Sequence, residues 1–159
     1  MISAGSINQS MATIQLSTFI NASVTTVFDL ARSVELHTAS TAQTHEIAIA
    51  GRTSGLCEAG DTITWQATHF GIRQLLTVKI TKMEPPYYFE DEMVKGAFRS
   101  FRHQHIFEAQ DDGTLMKDVF TFKAPLGIFG TLAEKLFLER YMTRLLIKRN
   151  AVIREVAEG

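Results

Sequence analysis

The sequence predicts an α+β domain in which a curved antiparallel sheet of about seven strands wraps around a long C-terminal helix, with two short helices after the first strand. Three observations carry this expectation. Residues 51–124 are almost wholly period-two segments separated by turn residues. Residues 131–158 are rich in Leu, Glu, Lys and Arg and contain no proline. Ahead of both, one short stretch repeats its apolar residues at helical rather than strand spacing.

Taken in order, residues 12–20 alternate loosely, with Ile14, Leu16 and Phe19 on the favoured sides of a first strand. Ser23 reads as an N-cap, and Val24, Val27, Phe28 and Ala31 then fall at i, i+3, i+4 and i+7. Val34 to Thr38 adds a second helical piece, and Gln43 to Ala50 returns the chain toward the sheet. Five strands follow, at Asp61–Phe70, Ile72–Lys82, Tyr87–Val94, Phe98–Gln110 and Thr114–Lys123. Their short turns make an antiparallel meander. Asp112-Gly113 is the strongest hairpin signal, and a two-residue turn there places Asp118 opposite Phe107 and diagonal to His105.

Pro125-Leu126-Gly127 ends the sheet. At ~1.5 Å per residue the last helix reaches about 40 Å, enough to cross a sheet. Its apolar residues change sides: Phe129, Leu132, Ala133, Leu136 and Phe137 group on one, and Leu138, Met142, Leu145, Val152 and Val156 on nearly the opposite one. Either a bend near residues 136–140 or a first segment that is mostly loop accounts for the change.

A chain of 159 residues fits one domain with a real core. Residues 1–11 read as a loose extension and 12–159 as the domain. A formal net charge of −1 argues against nucleic acid as a partner, since phosphate binding needs a basic excess. No segment reaches the ~18 consecutive apolar residues of a membrane span. The single cysteine, Cys57, cannot form an internal disulfide, so a cytoplasmic location is expected.

The residues with chemical potential sit on the inward faces. Strand alternation puts Phe101, His103, His105 and Phe107 on one face. Met116, Asp118, Phe120 and Phe122 form the matching set on the next strand. Ile63, Trp65, Ala67 and His69 share a face farther across. Histidines and an aspartate on an apolar face need partners, because unpaired buried polar groups are costly. They either satisfy one another in a polar-lined core, orient a ligand in a hollow one, or supply an acid–base pair, His105 with Asp118. A metal is not expected, since His103 and His105 have no third ligand at a local zinc spacing, and no motif asks for a cofactor. Arg149 lies in the helix stripe in phase with Leu145 and Val152. It snorkels to solvent, pairs with Asp118 or Asp91, or anchors an anionic ligand group. Cys57 has no basic residue closer than Arg52 to activate it.

The stretches Trp65-Gln66-Ala67-Thr68-His69-Phe70-Gly71, Phe89-Glu90-Asp91-Glu92-Met93-Val94-Lys95-Gly96 and Phe101-Arg102-His103-Gln104-His105-Ile106-Phe107 carry a family likeness, as do Gly113-Thr114-Leu115-Met116-Lys117-Asp118 and Pro125-Leu126-Gly127. With the element order, they resemble the START/birch-pollen-allergen-like (SRPBCC) superfamily, in its bacterial polyketide cyclase-like or cell-division-inhibitor-like branch. The resemblance runs from about Ile14 to Val156 and implies a helix-grip fold with a cavity. The chain departs from the branch at Ala97, where proline is expected, and at Lys148-Arg149-Asn150, where Tyr-Arg-His is commoner. The second departure is expected to remove a polar cavity residue at position 150.

The expected function is therefore binding of a small hydrophobic or amphipathic molecule between sheet and helix. Trp65, His69, Phe101, His103, His105, Asp118, Phe120, Met142, Leu145 and Arg149 are the candidate contacts. The alternatives are a cyclase or dehydratase acting on a polyketide-like substrate, and a protein-interaction module with a filled interior.

Overall fold

In the computed structural model of the chain, residues 11–124 and 132–159 are described. Seven strands form one sheet: β1 (Ala12–Ile20), β2 (Ile47–Gly51), β3 (Thr62–His69), β4 (Ile72–Glu84), β5 (Tyr88–Lys95), β6 (Ser100–Gln110) and β7 (Gly113–Lys123). All neighbours are antiparallel, in the order β1-β7-β6-β5-β4-β3-β2. Register shifts at Ala48/Ala50, Thr77/Val78 and Ile80/Lys82 fall in β2 and β4, and such bulges bend a strand and increase its twist. β3 and β4 join through Phe70-Gly71, both at positive φ, as a two-residue turn matched to strand twist requires.

Helices α1 (Val24–Ala31) and α2 (Val34–Ser40) follow β1, and α3 (Leu132–Glu158) closes the chain. The Ser23 and Ser33 hydroxyls cap the first two, accepting from the backbone N–H of Thr26 and Leu36, each at 3.2 Å. The Val27, Phe28 and Ala31 face of α1 is buried, as its spacing predicts. Phe28 meets Phe89 and Phe107 edge-on at 5.7 and 5.4 Å. Burying a ring of this kind contributes roughly 2–3 kcal/mol. This core, with Ile20, Met116 and Ile153, fills one end of the molecule. A second, around Trp65, Phe101, Phe120 and Leu146, occupies the other.

The inward faces come out as alternation requires: Phe101, His103, His105 and Phe107 are buried, as are Met116, Asp118, Phe120 and Phe122. Two expectations need correction. The β6–β7 turn is Asp111-Asp112, with Gln110 opposite Gly113, so Asp118 faces His105 directly and Phe107 faces Met116. The residues stay on the predicted face because the slip is two residues, not one. The second concerns α3: helix begins at Leu132, so the alternative of a first segment that is mostly loop does not hold from that residue on. Its buried residues are Leu146, Arg149, Asn150 and Ile153, whereas Val156 is exposed. Two polar residues belong to the buried stripe, so an apolar count alone misplaces it. Residues 1–10, Pro125-Leu126-Gly127 and the side chains of Phe129, Leu132 and Ala133 lie outside what is described.

Candidate functional site

Two adjoining chambers, each about 190 Å3, lie between the sheet and α3. Glu46, Trp65, His69, Leu76, Phe98 and Met142 line both. Each alone is smaller than the ~300 Å3 of a typical small-molecule pocket, and the two share a wall. Phe101, His103, His105, Phe120, Leu145 and Arg149 line the first chamber. Of the expected contacts, only Asp118 is absent from the walls. The segment of the early helices borders the first chamber, through Ala31–Val34 and His37.

Asp118 lies behind the wall and organises it. Its carboxylate accepts from His103 Nε2 at 2.8 Å and from Asn150 Nδ2 at 2.6 Å, with Arg149 at 3.5 Å. His105 Nε2 instead bonds Asp91 at 3.1 Å, and its Nδ1 lies 3.3 Å from Asp118. The pairing is crossed. In register Asp91 faces His103 and His105 faces Asp118, yet each imidazole bonds the diagonal carboxylate. The two rings stand 3.8 Å apart. Asn150 is polar and buried but lines neither chamber: it donates to the same carboxylate and reaches Thr18 Oγ1 at 3.4 Å.

The charges follow from burial and neighbours. Burial, reinforced by His105, pushes the His103 imidazole down to about 4 against the pull of Asp118, so it is neutral at pH 7. Burial alone would raise Asp118; the bond from His103, the adjacent His105 imidazole and the nearby Arg149 charge hold it well below the usual carboxylate range. Asp91 is likewise lowered: burial would raise it, but the bond from His105 together with the pull of the two histidines and Arg149 more than offsets that. Arg149 faces inward and does not reach solvent. It donates to Asn150 Oδ1 at 3.0 Å and to the Ala31 carbonyl at 3.3 Å, and approaches His105 Nδ1 at 3.5 Å.

Asp91, His103 and His105 present donor atoms within 4.8 Å of one another, the ligand types of a metal site. The same side chains are tied to one another and to Asp118 by the hydrogen bonds described above, with the Arg149 guanidinium beside His105.

A second polar group, unforeseen from sequence, stands farther along the cavity. Glu46 follows a 3-10 turn (Ala42–Thr44) and lines both chambers. His37 Nε2 is 3.3 Å from its Oε1, and the His37 ring stacks on Trp65 at 4.2 Å. Burial opposes ionisation of Glu46, but His37 and His69, with a lesser pull from the Thr41 hydroxyl, draw it below its ordinary value. His69 Nδ1 and the Tyr141 hydroxyl are 2.6 Å apart. Burial lowers His69 against the pull of Glu46 and raises Tyr141, so both are neutral at pH 7. Cys57 also borders the first chamber, where burial pushes its thiol up to about 11 and leaves it unreactive.

A family model described as polyketide cyclase / dehydrase and lipid transport matches residues 20–146. No curated protein is a significant match to the sequence. Among solved structures, a Thermus thermophilus protein is 18% identical, with a TM-score of 0.68 over 92% of this chain and 99% of that one. Ginseng major latex-like protein 151 from Panax ginseng is 12% identical, with a TM-score of 0.64 over 94% and 99%. The di-domain ARO/CYC protein StfQ of the steffimycin biosynthetic pathway is 10% identical, with a TM-score of 0.74 over 93% of this chain and 51% of that one, so this chain spans about half of it. At such identities the likeness is one of fold. No described helix is long and apolar enough to cross a membrane.

Proposed function

We propose that this chain, which belongs to the polyketide cyclase / dehydrase and lipid transport family, binds one small hydrophobic or amphipathic molecule in the space between its sheet and α3. The observation that carries the reading is the pair of adjoining chambers that share walls, with aromatic surface and polar groups at separate places along them. Trp65, Phe98, Phe101 and Phe120 supply apolar surface, while His69, His103 and His105 supply hydrogen bonds. A filled-core interaction module has no use for such a space.

The test is binding of Nile red, a neutral dye that brightens in apolar surroundings. Phe101→Trp narrows the first chamber, so affinity should fall at least about fivefold in a variant that keeps its native circular dichroism. Unchanged affinity in the folded variant would remove the cavity from consideration as the site.

An acid–base reading rests on one further observation, the neutral His103 held by Asp118 at the cavity wall. In it His103 takes the proton from a carbon acid next to a carbonyl, and Asp118, out of reach of substrate, positions the ring. His103→Gln should then abolish cyclisation of a poly-β-keto thioester mimic in a variant that keeps its native circular dichroism and still binds Nile red. Turnover that survives the substitution would exclude this base.

A further inference from the structure

The two polar groups in the cavity differ in what they leave unused. Around Arg149, one guanidinium meets two carboxylates, Asp91 and Asp118, so its charge is already answered. The other arginine bordering the first chamber, Arg32, is held by Asp29 at 2.8 Å and Glu58 at 2.9 Å. Glu46 adds a third interior carboxylate, held by the His37 imidazole at 3.3 Å, the nearby His69 ring and the weaker pull of the Thr41 hydroxyl, with no cationic lysine or arginine among these partners. It stands beside the Trp65 and Tyr141 rings that line the same space. The interior is therefore acidic on balance, and its least-matched charge sits next to aromatic faces.

We infer that the cavity selects a ligand carrying a protonated amine, bound with its ammonium against Glu46 and between the Trp65 and Tyr141 rings, and its apolar body along Phe98 and Met142. A carboxylate supplies the countercharge, and aromatic faces attract a cation through their quadrupoles. An acid meets the reverse: its carboxylate would lie among Glu46, Asp91 and Asp118, and the Arg149 charge expected to anchor it is taken. This inference rests on the cavity being a ligand site and names the class of ligand.

The experiment uses three matched probes, 2-(1-naphthyl)ethylamine, 2-(1-naphthyl)ethanol and 1-naphthylacetic acid, titrated calorimetrically at pH 7 into the full chain. The amine should bind about tenfold more tightly than the alcohol, and the acid more weakly than either. In Glu46→Gln the amine should lose about tenfold while the alcohol changes by less than about twofold. Equal affinities of amine and alcohol for the unaltered chain overturn the inference, and that comparison needs no variant to fold. So does an amine preference that persists in Glu46→Gln, since the charge would then lie elsewhere. Both results leave the binding function standing if Nile red or the alcohol binds; failure of every neutral probe to bind removes the function itself.

Discussion

The Asp118 end and the Glu46 end of the cavity hold similar chemistry, a carboxylate with histidines, yet they are built differently. Asp118, fully buried on β7, meets β6 through His103 and α3 through Asn150 and Arg149. Glu46 borders open space, and its main tie is one long bond to an imidazole. A buried polar group whose lone pairs are filled by the protein ties elements together. One that faces a cavity with capacity to spare is available to a ligand.

Removing a charge at the two ends should separate them most. Arg149→Met keeps the apolar stem but leaves Asp91 and Asp118 without their guanidinium, so unfolding free energy should fall by about 3–5 kcal/mol in urea. A loss below about 1 kcal/mol would mean Arg149 acts there only through packing.

Acid should find the same weak point. The folded state holds His103 at about 4, whereas an unfolded imidazole titrates near 6.5. Between those values the unfolded chain binds more protons, so stability is lost as pH falls from ~6.5 to ~4, by about 3 kcal/mol. Asp118 and Asp91, depressed in the fold, add a further loss below their unfolded value of ~3.9. His103→Gln should flatten the first part of this slope; an unflattened slope would place the titrating group elsewhere.

The smallest effect is expected at the other end. Glu46→Gln removes a carboxylate tied by one long imidazole bond and the pull of His69 and Thr41, so stability should fall, but by no more than about 1 kcal/mol. A loss approaching that of Arg149→Met would make both ends architectural and erase the contrast between them.

The sheet and its facing were legible because alternation and turn residues are local signals. Where they failed, a residue served a purpose its neighbours do not reveal. Gly113 has the local look of a turn glycine, yet it already belongs to β7, and a Cβ there would lie 2.3 Å from the Ile20 carbonyl oxygen of the adjoining strand. It is glycine for close approach, whereas Gly71 is one for the turn. In α3 the buried stripe runs through Arg149 and Asn150, whose burial is set by Asp118 on another element. Within the site, alternation brought His103, His105 and Asp118 to one face. The crossed bonds depend on sheet register and on Asp91 from β5, neither visible in one strand. Glu46 gave no signal, lying just after a single 3-10 turn with no periodicity to mark its side chain as inward.

Trp65, the only tryptophan in the chain, borders both chambers and stacks on the His37 ring. Its intrinsic emission therefore comes from a single place, the wall any occupant must touch. Excitation at the tryptophan band should show a change in intensity and wavelength when the interior fills, and energy transfer when the occupant absorbs in the near ultraviolet. The molecule thus carries its own optical gauge of occupancy, usable on unlabelled protein and in crude mixtures of candidate compounds.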